Sequence, residues 1–427
     1  MGFLKFLWGP VIHKKEESNK KKMLISALGR LQRKVLGLLQ ISAARVVVYW
    51  VFKRGAQIRM DRGTIKGVQP PFIVLGNHTS NFDPALVQYV LAPHPCYFLT
   101  SNYYFRLPVV GRILNIFRAI PKIQFYPDIR STRRVAEAMA RGEAVGIFPE
   151  GRRSIDGSCC PISDTVARLI KKFNVPVIAV RTSGGYFVWP RWSPFWRSGS
   201  VETVATQLLT KEETGRLDVR EIHDVICRAL AYNDYAWNLA AGEHYGHHRA
   251  AENLHLVLHQ CPRCLLERTM RSEGTRLYCR KCGNAAVLDG YGFLQPADSE
   301  SVIFPDPVQW NAWQREKMRG LLRDDHFTIE AKVKDLRVAD KYHGKYRRCG
   351  YGKIVVNKDG IQFRGSVDGQ MRELFFPREI LPAISTEFKA DFEVCDQTNA
   401  WWFFLAEEQQ TVRIETALSI MYEQKQI

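Results

Sequence analysis

With 427 residues, 46% of them hydrophobic and 24% charged, the chain has the make-up of a globular protein and is long enough for two or three domains, which excludes wholesale disorder. Its formal charge of +18 is unevenly spread, because residues 1–60 hold 13 Lys or Arg against only Glu16 and Glu17. A basic end of this kind suits nucleic acid or an anionic membrane surface, and charge alone does not choose between them.

The pattern within residues 1–60 favours the membrane. A short apolar opening, Phe3 to Trp8, is followed by the charged run Lys14 to Lys22 and then by an apolar stretch, Leu24 to Phe52, broken by Arg30, Arg33, Lys34, Gln40 and Arg45. A central arginine costs about 2.5–3.5 kcal/mol on insertion, so a full membrane span is disfavoured. One or two amphipathic helices lying in the interface are expected, each cation near an anionic leaflet adding about 1 kcal/mol. The competing reading is a helix packed on the protein's own core. The opening lacks the order of a cleavable signal peptide, and Phe6 breaks the myristoylation pattern. The expected location is cytoplasmic, peripheral on the inner face of the membrane.

From 72 to 181 short apolar runs alternate with longer amphipathic ones. Strands are predicted at 72–76, 96–100, 144–148 and 176–181, and helices at 84–91, 104–117, 130–141 and 163–173. Such alternation predicts an α/β layered core, placed at 61–245. Two of its strands run into polar loops. The first carries Asn77-His78-Thr79-Ser80-Asn81-Phe82-Asp83, in which an imidazole can take a proton from a hydroxyl while a carboxylate fixes its tautomer. Asp83-Pro84 reads as a helix start with Asp83 as the cap. The second carries Phe148-Pro149-Glu150-Gly151-Arg152-Arg153-Ser154. No G-x-S-x-G is present, so the attacking hydroxyl is expected to belong to a substrate. Taken by themselves, Arg152 and Arg153 read as ordinary surface charges.

Residues 184–215 interleave Trp189, Trp192 and Trp196 with Pro and Arg, which suits a membrane interface or acyl-chain entrance and equally a packed surface loop. A helical pattern at 218–239 leads to His244, His247 and His248, read as a polar linker. Cys261-x-x-Cys264 and Cys279-x-x-Cys282 follow, 14 residues apart, in a region placed at 246–292. Two such knuckles suit four thiolates on one structural zinc in a small ribbon, a closed site with no position for substrate. The other six cysteines show no disulfide framework, so a reducing compartment is expected. A linker and helix occupy 293–325. The tail, 326–427, shows a strand, an Asp359-Gly360 turn and a second strand, with further strands at 372–376, 390–395 and 400–405 and a helix at 412–424. It resembles the pleckstrin-homology or GRAM class of small β-barrels.

The two loop motifs, Asn-His-x-Ser-x-x-Asp at 77–83 and Phe-Pro-Glu-Gly-x-Arg-Ser at 148–154, closely resemble those of the glycerolipid acyltransferases, the PlsC-like family of lysophospholipid and 1-acylglycerol-3-phosphate acyltransferases. The resemblance covers about residues 25–240 and includes the Val-Pro-Ile-like strand at 175–180. It implies His78 as general base for a glycerol hydroxyl attacking an acyl thioester, Asp83 as its orienter, and Glu150, Gly151 and Arg153 as the hold on the acceptor's phosphate. It also implies an N-terminal helical pair resting on the bilayer. The chain departs from the family's Gly-x-x-Pro-x-x-Arg: Gln124 stands where the phosphate-binding arginine falls, and Lys122 is the nearby cation. A lysine is a point charge and lacks the arginine's bidentate fork.

The expected activity is a peripheral O-acyltransferase moving a fatty acyl group from acyl-CoA or acyl carrier protein to a lysophospholipid, lysophosphatidate first. The alternatives are another lyso-acceptor or a non-glycerol hydroxyl, and a non-catalytic basic zinc-ribbon protein gripping nucleic acid. The last is disfavoured because the charge lies beside an apolar helix and not around Cys261 to Cys282.

Overall fold

A computed structural model describes residues 31–32, 34–50, 55–381, 383–384, 386 and 390–424. The apolar opening and the charged run at 14–22 lie outside them. Residues 31–32 and 34–50 are helical, with two apolar faces. Gly37, Gln40, Ile41 and Ala44, spaced at helical periodicity, are buried against the body, and Gln40 bonds Gln88 at 2.9 Å. Leu31, Leu38, Val46, Tyr49 and Trp50 are exposed. The reading of a helix packed on the protein's own body is met on one face, and the opposite face is apolar and exposed. Among the described residues no helix is long and apolar enough to cross a membrane.

The region from residue 56 to about 245 is a mixed α/β layer. Its strands are β1 (Ala56–Asp61), β2 (Ile73–Gly76), β3 (Cys96–Ser101), β4 (Ile120–Lys122), β5 (Ala144–Ile147), β6 (Val177–Ser183) and β7 (Gly199–Leu209), in the order β1-β7-β6-β2-β5-β3-β4. All neighbours are parallel except β6 and β7. Alternation along the strands divides the core. Ile73, Leu75, Val145 and Val177 pack under Val135, Ile170 and Ile222 on one face, whereas Phe72, Val74, Ile178 and Val180 meet Val87 and Val90 on the other. β2 and β5 are adjacent and parallel, so the loops leaving their carboxyl ends emerge at one edge of the sheet.

Three differences from expectation have local causes. The helix at 104–117 is two helices, Asn102–Phe105 and Pro108–Ile116, because Pro108 starts a new one and disfavours helix in the residue before it. The stretch at 184–215 contains the 11-residue β7, and its tryptophans pack inward: Trp192 is 3% exposed and donates from Nε1 to Tyr186 Oη at 2.8 Å. The helix at 218–239 is likewise two, Val219–Leu230 and Asp234–Ala241, the second capped by Asn233.

Beyond it lie β8 (Met270–Glu273), β9 (Arg276–Cys279), β10 (Ala285–Leu288) and β11 (Leu294–Pro296), an antiparallel sheet of neighbours in sequence. Helix Pro307–Leu321 leads to β12 (Ile329–Asp340), β13 (Arg347–Asn357), β14 (Gly360–Val367), β15 (Gln370–Pro377), β16 (Asp391–Cys395) and β17 (Asn399–Leu405). These form an antiparallel sheet in the order β15-β14-β13-β12-β17-β16, packed on helix Gln410–Glu423. Among the described residues no pair joins β15 to β16, so the sheet is open where a small barrel was expected.

Candidate active site

The first loop is fixed before its histidine is reached. Asn77 directly follows β2, and its amide bridges to β6, donating to Thr182 O at 2.7 Å and accepting from Thr182 N at 2.7 Å. His78 follows, with its Nδ1 2.8 Å from Asp83 Oδ2. A carboxylate only accepts, so Nδ1 carries the proton and Nε2 keeps its lone pair.

Asp83 is fully buried and heavily bonded. Its Oδ2 also accepts from Thr79 N at 2.6 Å and Ser80 N at 2.8 Å, and its Oδ1 accepts from Thr79 Oγ1 at 3.1 Å and Ser80 Oγ at 2.5 Å. Asp83 is not the helix cap. It is the first residue of helix Asp83–Val90, whose N-cap is Phe82, and its carboxylate turns back into the loop. The His78 side chain is 20% exposed and Asp83 is 0% exposed, an arrangement in which the carboxylate is locked and the imidazole is reachable.

The imidazole lies on Phe148, with ring centroids 4.4 Å apart and planes 24° from parallel. Burial lowers the pKa of His78 below the ordinary 6.5; the hydrogen bond and charge of Asp83 oppose the shift, and the charges of Arg153 and Arg191 add to it. The shift favours the neutral ring, the form that can accept a proton. Both arginines lie close enough for their charge to be felt there, and Arg191 carried no signal in the sequence.

The second loop is bonded directly to the first. Glu150, 4% exposed, accepts His78 N at 2.8 Å on Oε1 and Cys160 N at 2.8 Å on Oε2, with Tyr232 Oη at 3.3 Å from Oε2. Ser154 N donates to His78 O at 2.8 Å. Burial pushes the Glu150 carboxyl up to about 8 against these donors. Glu150 thus faces inward and braces the two loops together. Gly151 has φ +68°, where a side chain is strained, and its carbonyl accepts Gln124 Nε2 at 2.7 Å. Gln124 accordingly reaches the second loop. Lys122 donates to Ile123 O at 2.8 Å and Tyr126 O at 2.6 Å, tying down its own loop. Arg152 is not a surface charge: it is paired with Glu415 on helix Gln410–Glu423, the two side chains 10% and 2% exposed.

Motif spacing brings Asn77 and Ser80 to notice alongside His78 and Asp83. Tyr232, Arg191 and Glu415 reach the site from distant segments, and nothing local marks them.

The four cysteines converge as their spacing predicts. Their Sγ atoms all lie within 4.8 Å of one another, with Cys261–Cys282 at 3.6 Å and Cys264–Cys279 at 3.7 Å. Sulfurs about 2.3 Å from a central tetrahedral ion would be about 3.8 Å apart, so the cluster fits one. Asn284 Nδ2 at 3.6 Å from Cys261 Sγ and Lys281 N at 3.4 Å from Cys279 Sγ are donors suited to thiolates.

A family model described as Acyltransferase matches residues 58–183, the segment from β1 through β6 that contains both loops. Residues 58–183 thus match an acyltransferase domain. Over 117 residues it is 27% identical to a chloroplastic 1-acyl-sn-glycerol-3-phosphate acyltransferase of Brassica napus, an alignment covering 27% of this chain and 33% of that protein. The chain thus spans about a third of the length of this curated relative. Among solved structures, the 1-acyl-sn-glycerophosphate (LPA) acyltransferase PlsC from Thermotoga maritima aligns at 19% identity and TM-score 0.39, over 45% of this chain and 76% of that one. The assignment rests on the family match and the two loops, not on that superposition.

Proposed function

We propose that the protein is a peripheral membrane O-acyltransferase that moves a fatty acyl group from acyl-CoA or acyl carrier protein to the hydroxyl of a lysophospholipid, lysophosphatidate first. The observation that carries this reading is the His78–Asp83 contact at 2.8 Å, on a loop whose backbone is bonded to Glu150. The acceptor hydroxyl gives its proton to His78 Nε2 as its oxygen attacks the thioester carbonyl. The tetrahedral intermediate expels the thiolate, and the imidazolium returns the proton to it, leaving ester and thiol with no acyl-enzyme. Arg153 and Arg191 set a positive field beside the base, suited to the acceptor's phosphate; Glu150 and Gly151 shape the loop that presents Arg153, and Lys122 supports the facing loop. The membrane reading is supported by the exposed apolar face of the helix at 34–50, interspersed with Lys34 and Arg45.

This mechanism sets a pH dependence. The base works unprotonated, so kcat/KM rises with pH through the pKa of His78, which burial holds below 6.5, and then stays level with respect to this group. Initial rates across buffers on lipid vesicles check it; a midpoint above 6.5 contradicts it.

The cysteine cluster is proposed to hold one structural zinc in a ribbon. Its hydrophobic core is continuous with that of the catalytic region, since Cys261, Leu277 and Leu288 share a cluster with Phe82 and Tyr186. Loss of the ion should lower Tm by roughly 10 °C. Metal analysis of the purified chain and a melting curve with chelator test this, and a metal-free chain with an unchanged melting curve contradicts it. The tail is proposed as a PH- or GRAM-like module.

A further inference from the structure

Helix Gln410–Glu423 is buried on nearly every side, its apolar residues Ile414, Leu418 and Met421 in the core of the C-terminal sheet and its polar residues against the rest of the chain. One of those polar residues is Glu415, paired with Arg152 of the loop that also contains Glu150, Gly151 and Arg153. The second Glu415 oxygen, Oε2, is buried without a hydrogen-bond partner, which leaves Arg152 to balance the charge. The facing loop is held by the same domain. Lys341 Nζ sits 3.4 Å from the centre of the Tyr126 ring, and Ile123 packs with Cys395 and Ala400. Between them Gln124 joins the two loops through Gly151 O. Arg191 donates to the carbonyl of Thr386 in the segment between β15 and β16.

We propose that the C-terminal domain completes the acceptor site: Glu415, through Arg152, and Lys341, through Tyr126, are positioning residues that hold the two loops receiving the acceptor. The proposal rests on the acyltransferase reading, and it makes the C-terminal domain a lever, because anything that shifts this domain shifts acceptor recognition at both loops at once. The step it acts on is acceptor binding and not proton transfer, since neither residue touches His78 or Asp83.

The test uses the full chain on lipid vesicles with Glu415→Gln, which keeps the shape and removes the charge, Lys341→Met, and Arg268→Ala, which breaks an exposed pair with Glu407 elsewhere on the same domain boundary. Glu415→Gln and Lys341→Met should each raise the acceptor KM about tenfold, leaving donor KM and kcat within about twofold, and Arg268→Ala should leave all three unchanged. Hydrogen exchange of the peptide spanning 148–156 should quicken in Glu415→Gln and not in Arg268→Ala. Unchanged acceptor KM and unchanged exchange in Glu415→Gln overturn the proposal, as does an equal rise of KM in Arg268→Ala. If the wild-type chain transfers no acyl group, the acyltransferase reading fails, and the exchange comparison still decides whether Glu415 holds the loop.

Discussion

His78→Ala is expected to lower kcat for acyl transfer by about 100- to 10,000-fold, with KM for both substrates little changed. The size follows from what the ring does. Its Nε2 is the atom that accepts the hydroxyl proton in the proposed transition state. The side chain is 20% exposed, so its removal leaves no large buried cavity, and the Asn77 bridge to Thr182 keeps the loop in place. Steady-state kinetics with circular dichroism of the variant check this. A variant that folds and retains wild-type kcat reassigns the base.

Asp83→Asn is expected to lose a comparable factor, up to about 10,000-fold in kcat, for a different reason. The carboxylate accepts from five donors, three on Oδ2 and two on Oδ1. An amide can put its oxygen toward only one set. If the oxygen faces the hydroxyls, the NH2 confronts Thr79 N, Ser80 N and His78 Nδ1, and the imidazole shifts its proton to Nε2, where it can no longer take one. If the oxygen faces Nδ1, the hydroxyls of Thr79 and Ser80 can turn to accept from the NH2, so the loop partly adapts. Each buried donor left without an acceptor costs about 1–3 kcal/mol, so thermal stability should fall as well. Measuring kcat together with Tm separates the two effects, and a loss of stability with kcat intact contradicts the orienting role.

The His78–Asp83 contact was legible because its spacing is local: the two are five positions apart, and a strand ending delivers them to a sheet edge. The zinc-type cluster was legible for the same reason, two tight knuckles whose geometry is set within each motif. What escaped were contacts made at long range. Arg152 looks like one more cation in a basic chain, yet its partner is 263 positions away on the last helix. Glu150 looks like a ligand for the acceptor, whereas its donors are His78 N, Cys160 N and Tyr232, two of which come from outside both motifs. Strand β7 was hidden by tryptophans and prolines that precede it. Strand β12, in contrast, alternates buried Ile329, Ala331 and Val333 with exposed Glu330, Lys332 and Lys334, a period-two signal present in the sequence.

The central claim is that the imidazole at position 78 drives esterification of a lysophospholipid hydroxyl. Purified protein on anionic vesicles, given a panel of lyso-acceptors and an acyl thioester carried by coenzyme A or by acyl carrier protein, is followed by mass spectrometry of the lipids. The account predicts a product heavier than one lyso-acceptor by a single acyl group and released free thiol in equal amount, both absent with His78→Ala. Thioester left intact, or hydrolysed to free fatty acid with no acylated lipid from any acceptor, would contradict it.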